Sequence, residues 1–288
     1  MAIVCLFPGQ GSQSKGMGAD LFDRFPDWTA DADRALGYSI RELCLDDPRG
    51  ELGQTAFTQP ALFAVNALAY RARVEAGRPA PAFVAGHSLG EYNALVAAGV
   101  FDFHVGLRLV ARRGALMGTV AGGGMAAIVG LPPARIVAIL AESEAGQRLD
   151  VANVNSFEQT VIAGRQADLA AVKPAFQHAG ARYIPLKVSA PFHSRYMREP
   201  MQDFAAELAR VEFAHPAIPV VSNVTAAPYD PAHLRATLAA QIGQSVRWLD
   251  SVLYMLDHGA TEFEEIGPGA VLTGLVSKIR EGRDRRLP

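Results

Sequence analysis

The sequence predicts an α/β fold, in which a parallel β-sheet is covered by helices and a smaller domain is inserted into the chain. The first observation is four short apolar runs, each followed by a turn and a helical pattern, at 2–8, 82–88, 218–225 and 261–267. Strands buried on both faces of a parallel sheet have continuous apolar sequences, and helices alternate with them along the chain. The second observation is that residues 123–190 break this alternation.

The interrupting segment has an order of strands and helices of its own. Its apolar patterns predict strand, helix, strand, strand, helix and strand over 124–131, 133–145, 150–156, 159–164, 166–180 and 182–189. The order βαββαβ is the ferredoxin-like motif. We therefore expect a discontinuous core domain at residues 1–122 and 191–288, with a ferredoxin-like domain inserted at residues 123–190.

Composition and charge exclude several classes of protein. Half of the 288 residues are hydrophobic, which suffices for a buried core, and the net charge of −2 provides no basic surface for nucleic acid. No apolar run is long enough to span a membrane and the N-terminus lacks a signal-peptide pattern, so we expect a cytoplasmic protein. Cys5 and Cys44 are too few for a disulfide framework or a structural zinc site.

A candidate nucleophile, Ser88, follows the second apolar run. The stretch 86–90 reads Gly-His-Ser-Leu-Gly and fits the pattern G-x-S-x-G. With a strand before it and a helix after it, this pattern predicts a sharp turn that exposes the serine hydroxyl at the carboxyl end of the sheet. The alternative is a glycine-rich connection that carries an ordinary serine.

An activated serine needs a general base, and the chain offers seven histidines. His87 adjoins the serine, but its side chain is expected to leave the turn in another direction. His193 follows the last strand of the inserted segment, where the chain re-enters the core. That position makes His193 a plausible base, and spacing alone does not decide the choice.

An arginine lies on the apolar face of the predicted helix 103–120. At 100° per residue, Arg113 falls near the middle of the arc formed by Val105, Leu109, Val110, Leu116 and Met117. A buried guanidinium needs a partner, which is either an internal carboxylate in a structural salt bridge or the carboxylate of a ligand. The second alternative implies a substrate with both an acyl group and a free carboxylate.

Several motifs together resemble those of one enzyme family. They are "FPGQGSQ" (7–13), "TQPAL" (58–62), "GHSLGEY" (86–92), "RRGALM" (112–117), "VNSFEQTVIAG" (154–164), "APFHS" (190–194), "SNVT" (222–225) and "EIGPGAVLTGL" (265–275). The chain resembles the malonyl-CoA:acyl-carrier-protein transacylases, and most of all the free-standing acyltransferases that serve polyketide synthases. The resemblance implies an α/β-hydrolase-like core with a ferredoxin-like insert.

The resemblance also implies a role for individual residues. Ser88 matches the family's nucleophile and His193 its base, and the main-chain carbonyl of Gln241 takes the place of a third catalytic carboxylate. The amides of Gln10 and Leu89 match the oxyanion hole. Arg113 matches the arginine that holds the malonyl carboxylate, and Gln59 matches a pocket glutamine, although a polar residue at a helix start also explains it.

The implied reaction moves a malonyl group from malonyl-CoA through a serine ester to the phosphopantetheine thiol of a holo acyl carrier protein. It implies no permanently bound cofactor and no metal, and we expect a monomer.

Leu89 and Phe192 match positions associated with malonyl rather than methylmalonyl transfer, but "APFH" departs from the usual malonyl motif at two of its four positions. Four basic residues around His193 are candidates for contact with an acidic carrier protein at the rim of the cleft: Arg182, Lys187, Arg195 and Arg198.

Two other functions are alternatives to malonyl transfer, an acyl hydrolase and an inactive docking module. Asn93 has no expected role.

Overall fold

Two β-sheets organise the protein in the computed structural model, which describes residues 2–285. The strands in this range are β1 (Ala2–Phe7), β2 (Phe83–Gly86), β3 (Gly123–Val129), β4 (Asp150–Ser156), β5 (Gln159–Arg165), β6 (Arg182–Pro185), β7 (Val220–Val221) and β8 (Ala260–Glu265). One sheet has the order β7-β2-β1-β8 and the other the order β4-β5-β3-β6.

Helices cover both sheets. In chain order they are α1 (Ala19–Arg24), α2 (Pro26–Leu36), α3 (Ile40–Leu45), α4 (Thr55–Glu75), α5 (Gly90–Ala97), α6 (Phe103–Gly118), α7 (Pro133–Ala141), α8 (Glu144–Gln147), α9 (Gln166–His178), α10 (Arg198–Leu208), α11 (Leu234–Ala240), α12 (Trp248–Asp257) and α13 (Val271–Asp284). A 3₁₀ turn at Arg195–Met197 precedes α10. No helix between residues 2 and 285 has the length and apolarity needed to cross a bilayer.

The first sheet is parallel throughout, and its strands are the four apolar runs of the sequence. The predicted α/β fold with a parallel sheet is therefore confirmed. Strands β1 and β2 pair in a register that sets Phe7 opposite Gly86, so both strands end at the same edge. The predicted strand 218–225 is wrong beyond Val221, because the chain turns there. Ala226 takes a positive φ of 56° and its amide bonds back to the Ser222 carbonyl at 2.9 Å.

The second sheet is antiparallel and lies between two apolar layers. On one face, Ile128 and Ile162 pack with Ile136 of α7 and Phe176 of α9. Residues of the other face, such as Met125, belong to the large core that includes α4 to α6. Side chains that alternate along β3 and β5 therefore contribute to both apolar layers. Met125 of β3 lies in the same cleft as Ser88, which follows the end of β2.

Two elements of the inserted segment differ most from their predicted bounds. The helix predicted at 133–145 breaks into α7 and α8, because Ser143 caps the second helix by accepting a hydrogen bond from the Gly146 amide at 3.0 Å. The strand predicted at 182–189 ends at Pro185, and the chain then leads towards His193. Cys5 and Cys44 are both free and buried.

Candidate active site

The turn that carries Ser88 connects β2 directly to α5. Ser88 has a φ of 52°, a left-handed conformation that a non-glycine residue holds only when its surroundings enforce it. A Cβ atom on Gly86 would lie 1.9 Å from the carbonyl carbon of Gly90, so the tight crossing requires glycine there. Asn223 holds both sides of the turn, because its Oδ1 accepts from the Ser88 amide at 2.7 Å and its Nδ2 donates to the Gly86 carbonyl at 2.7 Å.

His193 faces the serine hydroxyl. Its Nε2 lies 2.7 Å from Ser88 Oγ, and its Nδ1 lies 2.8 Å from the main-chain carbonyl of Gln241 and 3.2 Å from that of Gln244. A carbonyl can only accept, so Nδ1 carries the proton and Nε2 presents its lone pair to the serine hydroxyl. This tautomer suits a general base that removes the serine proton.

The environment of His193 keeps its imidazole neutral. Burial lowers the pKa of His193 to about 3, with a further contribution from the positive charge of Arg113, against the opposing effect of the Gln241 carbonyl. A neutral imidazole is the form that can accept a proton. The lone pair of His193 Nε2 is therefore available over a wide range of pH.

Arg113 reaches the site from α6 and is 1% exposed. Its NH1 donates to Gln59 Oε1 at 2.8 Å, and its NH2 donates to Gln241 Oε1 at 2.8 Å and to Ser88 Oγ at 3.1 Å. The guanidinium also lies over the ring of Tyr92, 5.4 Å from its centroid. Within residues 2–285 the structure gives Arg113 no ion pair with a carboxylate, so it shows no structural salt bridge.

The side chain of Gln241 joins the elements of the site. Besides accepting from Arg113, it donates through Nε2 to the Ser88 carbonyl at 2.6 Å and to Glu91 Oε2 at 2.6 Å. Its main-chain carbonyl accepts from His193. One glutamine at the end of α11 thus touches the serine, the histidine and the arginine.

The loop after β1 faces the serine turn from the other side. A Cβ atom on Gly9 would lie 2.3 Å from the His87 carbonyl and 3.7 Å from the Leu89 amide nitrogen, which shows how closely the two segments approach. Within the described chain, neither the Gln10 nor the Leu89 amide has a hydrogen-bond acceptor. Two such free amides beside a nucleophile can stabilise an oxyanion.

A cleft of about 530 Å³ opens over these residues. Its polar lining includes Gln10, Gln59, Ser88, Arg113, Asn153 and His193, and its apolar lining includes Leu89, Met117, Met125, Leu186, Val188 and Phe192. Gln59 lies one turn inside α4 rather than at its start, and its Oε1 accepts from Arg113. The candidate catalytic and pocket residues named from the sequence therefore line one cleft, except for Gln241, which contacts Ser88, His193 and Arg113 from behind it.

The structure also shows the contacts of His87 and Asn93, whose roles the sequence left open. His87 points away from the serine hydroxyl: its Nε2 lies 2.9 Å from Asn155 Oδ1, and its ring packs on Trp248. Asn93 is a structural residue, because it accepts from Asn66 and donates to the Phe63 carbonyl at 2.9 Å. Asn66 in turn donates to the Pro8 carbonyl at 3.0 Å, so this pair anchors the loop of Gln10 to α4.

Sequence reasoning missed Glu91, Asn223 and Tyr229. Glu91 is buried beneath the serine turn, where Tyr229 and the Asn223 amide donate to its Oε1. Glu91 and Asn223 do lie within the motifs "GHSLGEY" and "SNVT". The available signal was an acidic residue, Glu91, among the mostly apolar residues of α5, which predicts a buried carboxyl group.

This arrangement, a histidine-activated serine with two free amides and a buried arginine, suits acyl transfer. Residues 4–283 match the acyl transferase domain family, and the chain belongs to that family. Its relatives include proteins named malonyl CoA-acyl carrier protein transacylases. One, the polyketide biosynthesis transacylase BaeC of Bacillus velezensis, is 50% identical over 280 residues, which are 96% of each chain. The expected family membership is confirmed.

Two solved structures are closely similar to this chain. A malonyl CoA-acyl carrier protein transacylase from Burkholderia pseudomallei has a TM-score of 0.95 and 51% sequence identity, with coverage of 100% of this chain and 99% of that one. A malonyl-transacylase solved in complex with a holo type II polyketide synthase acyl-carrier protein has a TM-score of 0.93 and 41% identity, covering 98% and 94% of the two chains.

The low pKa of His193 predicts an unusual pH dependence for the reactivity of Ser88. A small neutral sulfonyl fluoride should label Ser88 with a rate constant that is constant between about pH 5 and pH 8, because the imidazole is neutral throughout. Intact-protein mass spectrometry measures the labelling rate, and Ser88→Ala is the control that should take no label. A histidine with an ordinary pKa near 6.5 would instead slow labelling about 30-fold at the acidic end, and that result would contradict the assignment.

Proposed function

We propose that this protein transfers the malonyl group of malonyl-CoA, through an ester on Ser88, to the phosphopantetheine thiol of a holo acyl carrier protein in polyketide or fatty-acid biosynthesis. The observation that carries the proposal is Arg113, a buried cation that lies beside the nucleophile with only neutral partners. A bound carboxylate would supply the missing negative charge through the planar guanidinium. Malonyl thioesters have this carboxylate at the end of a short acyl group.

The first half-reaction forms the malonyl ester. His193 Nε2 takes the proton of Ser88 Oγ as the oxygen attacks the thioester carbonyl, and the amides of Gln10 and Leu89 stabilise the oxyanion. The carbon–sulfur bond then breaks, and the imidazolium returns its proton to the coenzyme A thiolate. The Gln241 carbonyl, 2.8 Å from Nδ1, keeps the imidazole oriented and stabilises its positive charge while the proton is held.

The second half-reaction uses the same groups in reverse order. His193 takes the proton of the phosphopantetheine thiol, and the thiolate attacks the ester carbonyl of malonyl-Ser88. Collapse of the second tetrahedral intermediate breaks the carbon–oxygen bond, and Ser88 recovers its proton from His193. Because the acyl group is held on Ser88 between the two steps, no bound cofactor is needed.

A second cleft provides a route for the phosphopantetheine arm. It has a volume of about 1190 Å³ and shares Gln10, His87, Asn153, Leu186 and Val188 with the cleft over Ser88. Lys187 lies at its wall, is exposed and has no ion pair within residues 2–285. Arg195, another candidate for the carrier-protein rim, is held by Asp150. Lys187 is therefore the better candidate of the two for contact with an acidic carrier protein.

The predicted division of the chain into a core and an insert places the active-site cleft between the two parts. We propose that residues 2–122 and 191–285 form an α/β-hydrolase-like core and that residues 123–190 form a ferredoxin-like insert; residues 1 and 286–288 of the predicted core lie outside the described residues. The strand order β4-β5-β3-β6, antiparallel throughout, supports the second assignment. Ser88 then lies at the carboxyl end of the parallel sheet, with Leu186 and Met125 of the insert facing it across the cleft.

Phe192 and Leu89 support selectivity for malonyl over methylmalonyl groups. Both are buried and line the cleft beside Ser88. An additional α-methyl group would have to share space with the Phe192 ring. A single methyl group in an apolar pocket changes the free energy by about 1–3 kcal/mol, so a preference of roughly 10- to 200-fold is expected.

Mass spectrometry of the acylated protein tests the proposed function directly. We expect malonyl-CoA to add one malonyl group to the protein, and holo acyl carrier protein to remove it with formation of malonyl-carrier protein. Ser88→Ala should show no adduct. Loss of the adduct as free malonate in the absence of carrier protein would identify a hydrolase, and no adduct on the unaltered protein would identify an inactive docking module.

Arg113→Ala tests the carboxylate contact separately. The change should lower kcat/KM for Ser88 acylation by malonyl-CoA by roughly 10- to 150-fold, because a buried charge-assisted contact contributes roughly 1.5–3 kcal/mol. Acylation by acetyl-CoA, which has no carboxylate, should change far less. Rates from stopped or quenched reactions give both values, and an unchanged malonyl-to-acetyl preference would show that Arg113 does not hold the substrate.

A further inference from the structure

Glu91 is a fully buried carboxyl group that the mechanism above does not use. It lies in the first turn of α5, three residues after Ser88, and has no exposed surface. It also makes no ion pair within the described chain. A buried carboxylate is costly unless hydrogen bonds compensate it, so its partners show what it does.

Each partner of Glu91 is a donor. Tyr229 Oη and the Asn223 amide donate to Oε1 at 2.6 and 3.1 Å, and Gln241 Nε2 donates to Oε2 at 2.6 Å. An ionised carboxylate has only acceptor oxygens and satisfies all three donors. A carboxamide in the same place would present an NH₂ group to one of them.

The primary amide of Gln241 has distinct donor and acceptor ends, and the site requires one orientation. Nε2 faces two acceptors, Glu91 Oε2 and the Ser88 carbonyl, while Oε1 faces the donor NH2 of Arg113. In the reversed orientation, an NH₂ group would face Arg113 and an oxygen would face the Ser88 carbonyl. Both contacts would then be repulsive.

We propose that Glu91 is a positioning residue: its carboxylate fixes the orientation of the Gln241 amide, so that an oxygen and not an NH₂ group meets Arg113 beside Ser88. The chain of contacts runs from Glu91 through one amide to the guanidinium. It rests on the proposed function, in which Arg113 receives the malonyl carboxylate. Glu91 thereby supports selectivity for the acyl group without contacting it.

The electrostatics of the network agree with this geometry. Burial raises the pKa of Glu91 to about 7, and Tyr229, the Asn223 amide, Gln241 and the charge of Arg113 oppose the rise. The acceptor-only form therefore predominates above neutral pH, and an assay at about pH 8 examines that form.

Glu91→Gln tests the proposal, because it keeps the size of the side chain and adds a donor. A carboxamide that keeps its oxygen towards Tyr229 and the Asn223 amide directs its NH₂ group at Gln241 Nε2, and the repulsion between the two donors displaces the Gln241 amide from its contact with Arg113. The measured quantity is the ratio of kcat/KM for Ser88 acylation by malonyl-CoA and by acetyl-CoA, at about pH 8. We expect Glu91→Gln to lower this ratio about 10- to 100-fold.

A double-mutant cycle separates positioning from a general structural effect. In the Arg113→Ala background, Glu91→Gln should leave the ratio within about twofold, since the group that it positions is gone. Tyr229→Phe is the matched control, because it removes a donor from Oε1 and leaves the Gln241 contact. Since the loss of this donor raises the pKa of Glu91, the control and the unaltered protein are compared at about pH 9, where the ratio should stay within about threefold. Thermal unfolding followed by circular dichroism checks that each variant is folded.

A second variant keeps the proposal testable if Glu91→Gln does not fold. Gln241→Met removes the amide and retains the main-chain carbonyl that bonds to His193, so it should lower the same ratio to a similar extent. An unchanged ratio in either folded variant, or an equal loss with and without Arg113, would overturn the proposal. Failure of the proposed function is distinguishable, because the unaltered protein would then form no malonyl adduct or would lose it as free malonate without carrier protein.

Discussion

The rest of the site depends on one interaction, the burial of the Arg113 charge beside Ser88 without a carboxylate against it. A guanidinium that is 1% exposed depends on its hydrogen bonds, and Gln59, Gln241 and Ser88 provide oxygens for NH1 and NH2, while the buried Nε has no hydrogen-bond partner within residues 2–285. The Tyr92 ring contributes a further favourable contact. The oxygens that contact the guanidinium are neutral, and the carboxylate of Glu91 lies behind the Gln241 amide, so no anion meets Arg113 on the side of Ser88 and the site retains an affinity for one.

The same charge connects substrate recognition to the chemistry at His193. After burial, Arg113 is the largest influence that lowers the pKa of His193. In the proposed complex, the malonyl carboxylate compensates Arg113 and relieves this effect. The imidazolium that forms during acyl transfer is then easier to accommodate. A substrate with a carboxylate would therefore be favoured in the transition state as well as in binding, which raises kcat rather than lowering KM alone.

Local patterns in the sequence predicted much of the fold and part of the site. Strand β4 has the bounds predicted for it, and the 3.6-residue period of α6 placed Arg113 on the buried face. These features depend on periodicity, which neighbouring residues determine. The ends of β7 and β6 were less predictable. A turn hydrogen bond to the Ser222 carbonyl follows β7, and after Pro185 the chain leaves β6 and leads towards His193.

The remaining parts of the site depend on contacts between residues far apart in the chain. His193 was one of seven histidines until the resemblance selected it, and its bond to Ser88 spans 105 residues. Glu91 and Gln241 are 150 residues apart, and Ser88 and Asn223 are 135 apart. No period or spacing along the sequence encodes these pairs. They require the fold that brings α5, α11 and the turn after β7 together.

One comparison of substrates tests the central role of the uncompensated Arg113 charge. Malonyl-CoA and its malonamyl analogue, in which a neutral carboxamide replaces the free carboxylate, have nearly the same size and the same thioester. The measurement is kcat/KM for acylation of Ser88 in the unaltered protein. Loss of a charged contact of roughly 1.5–3 kcal/mol predicts that the analogue reacts about 10- to 150-fold more slowly. Equal rates for the two thioesters would contradict the account.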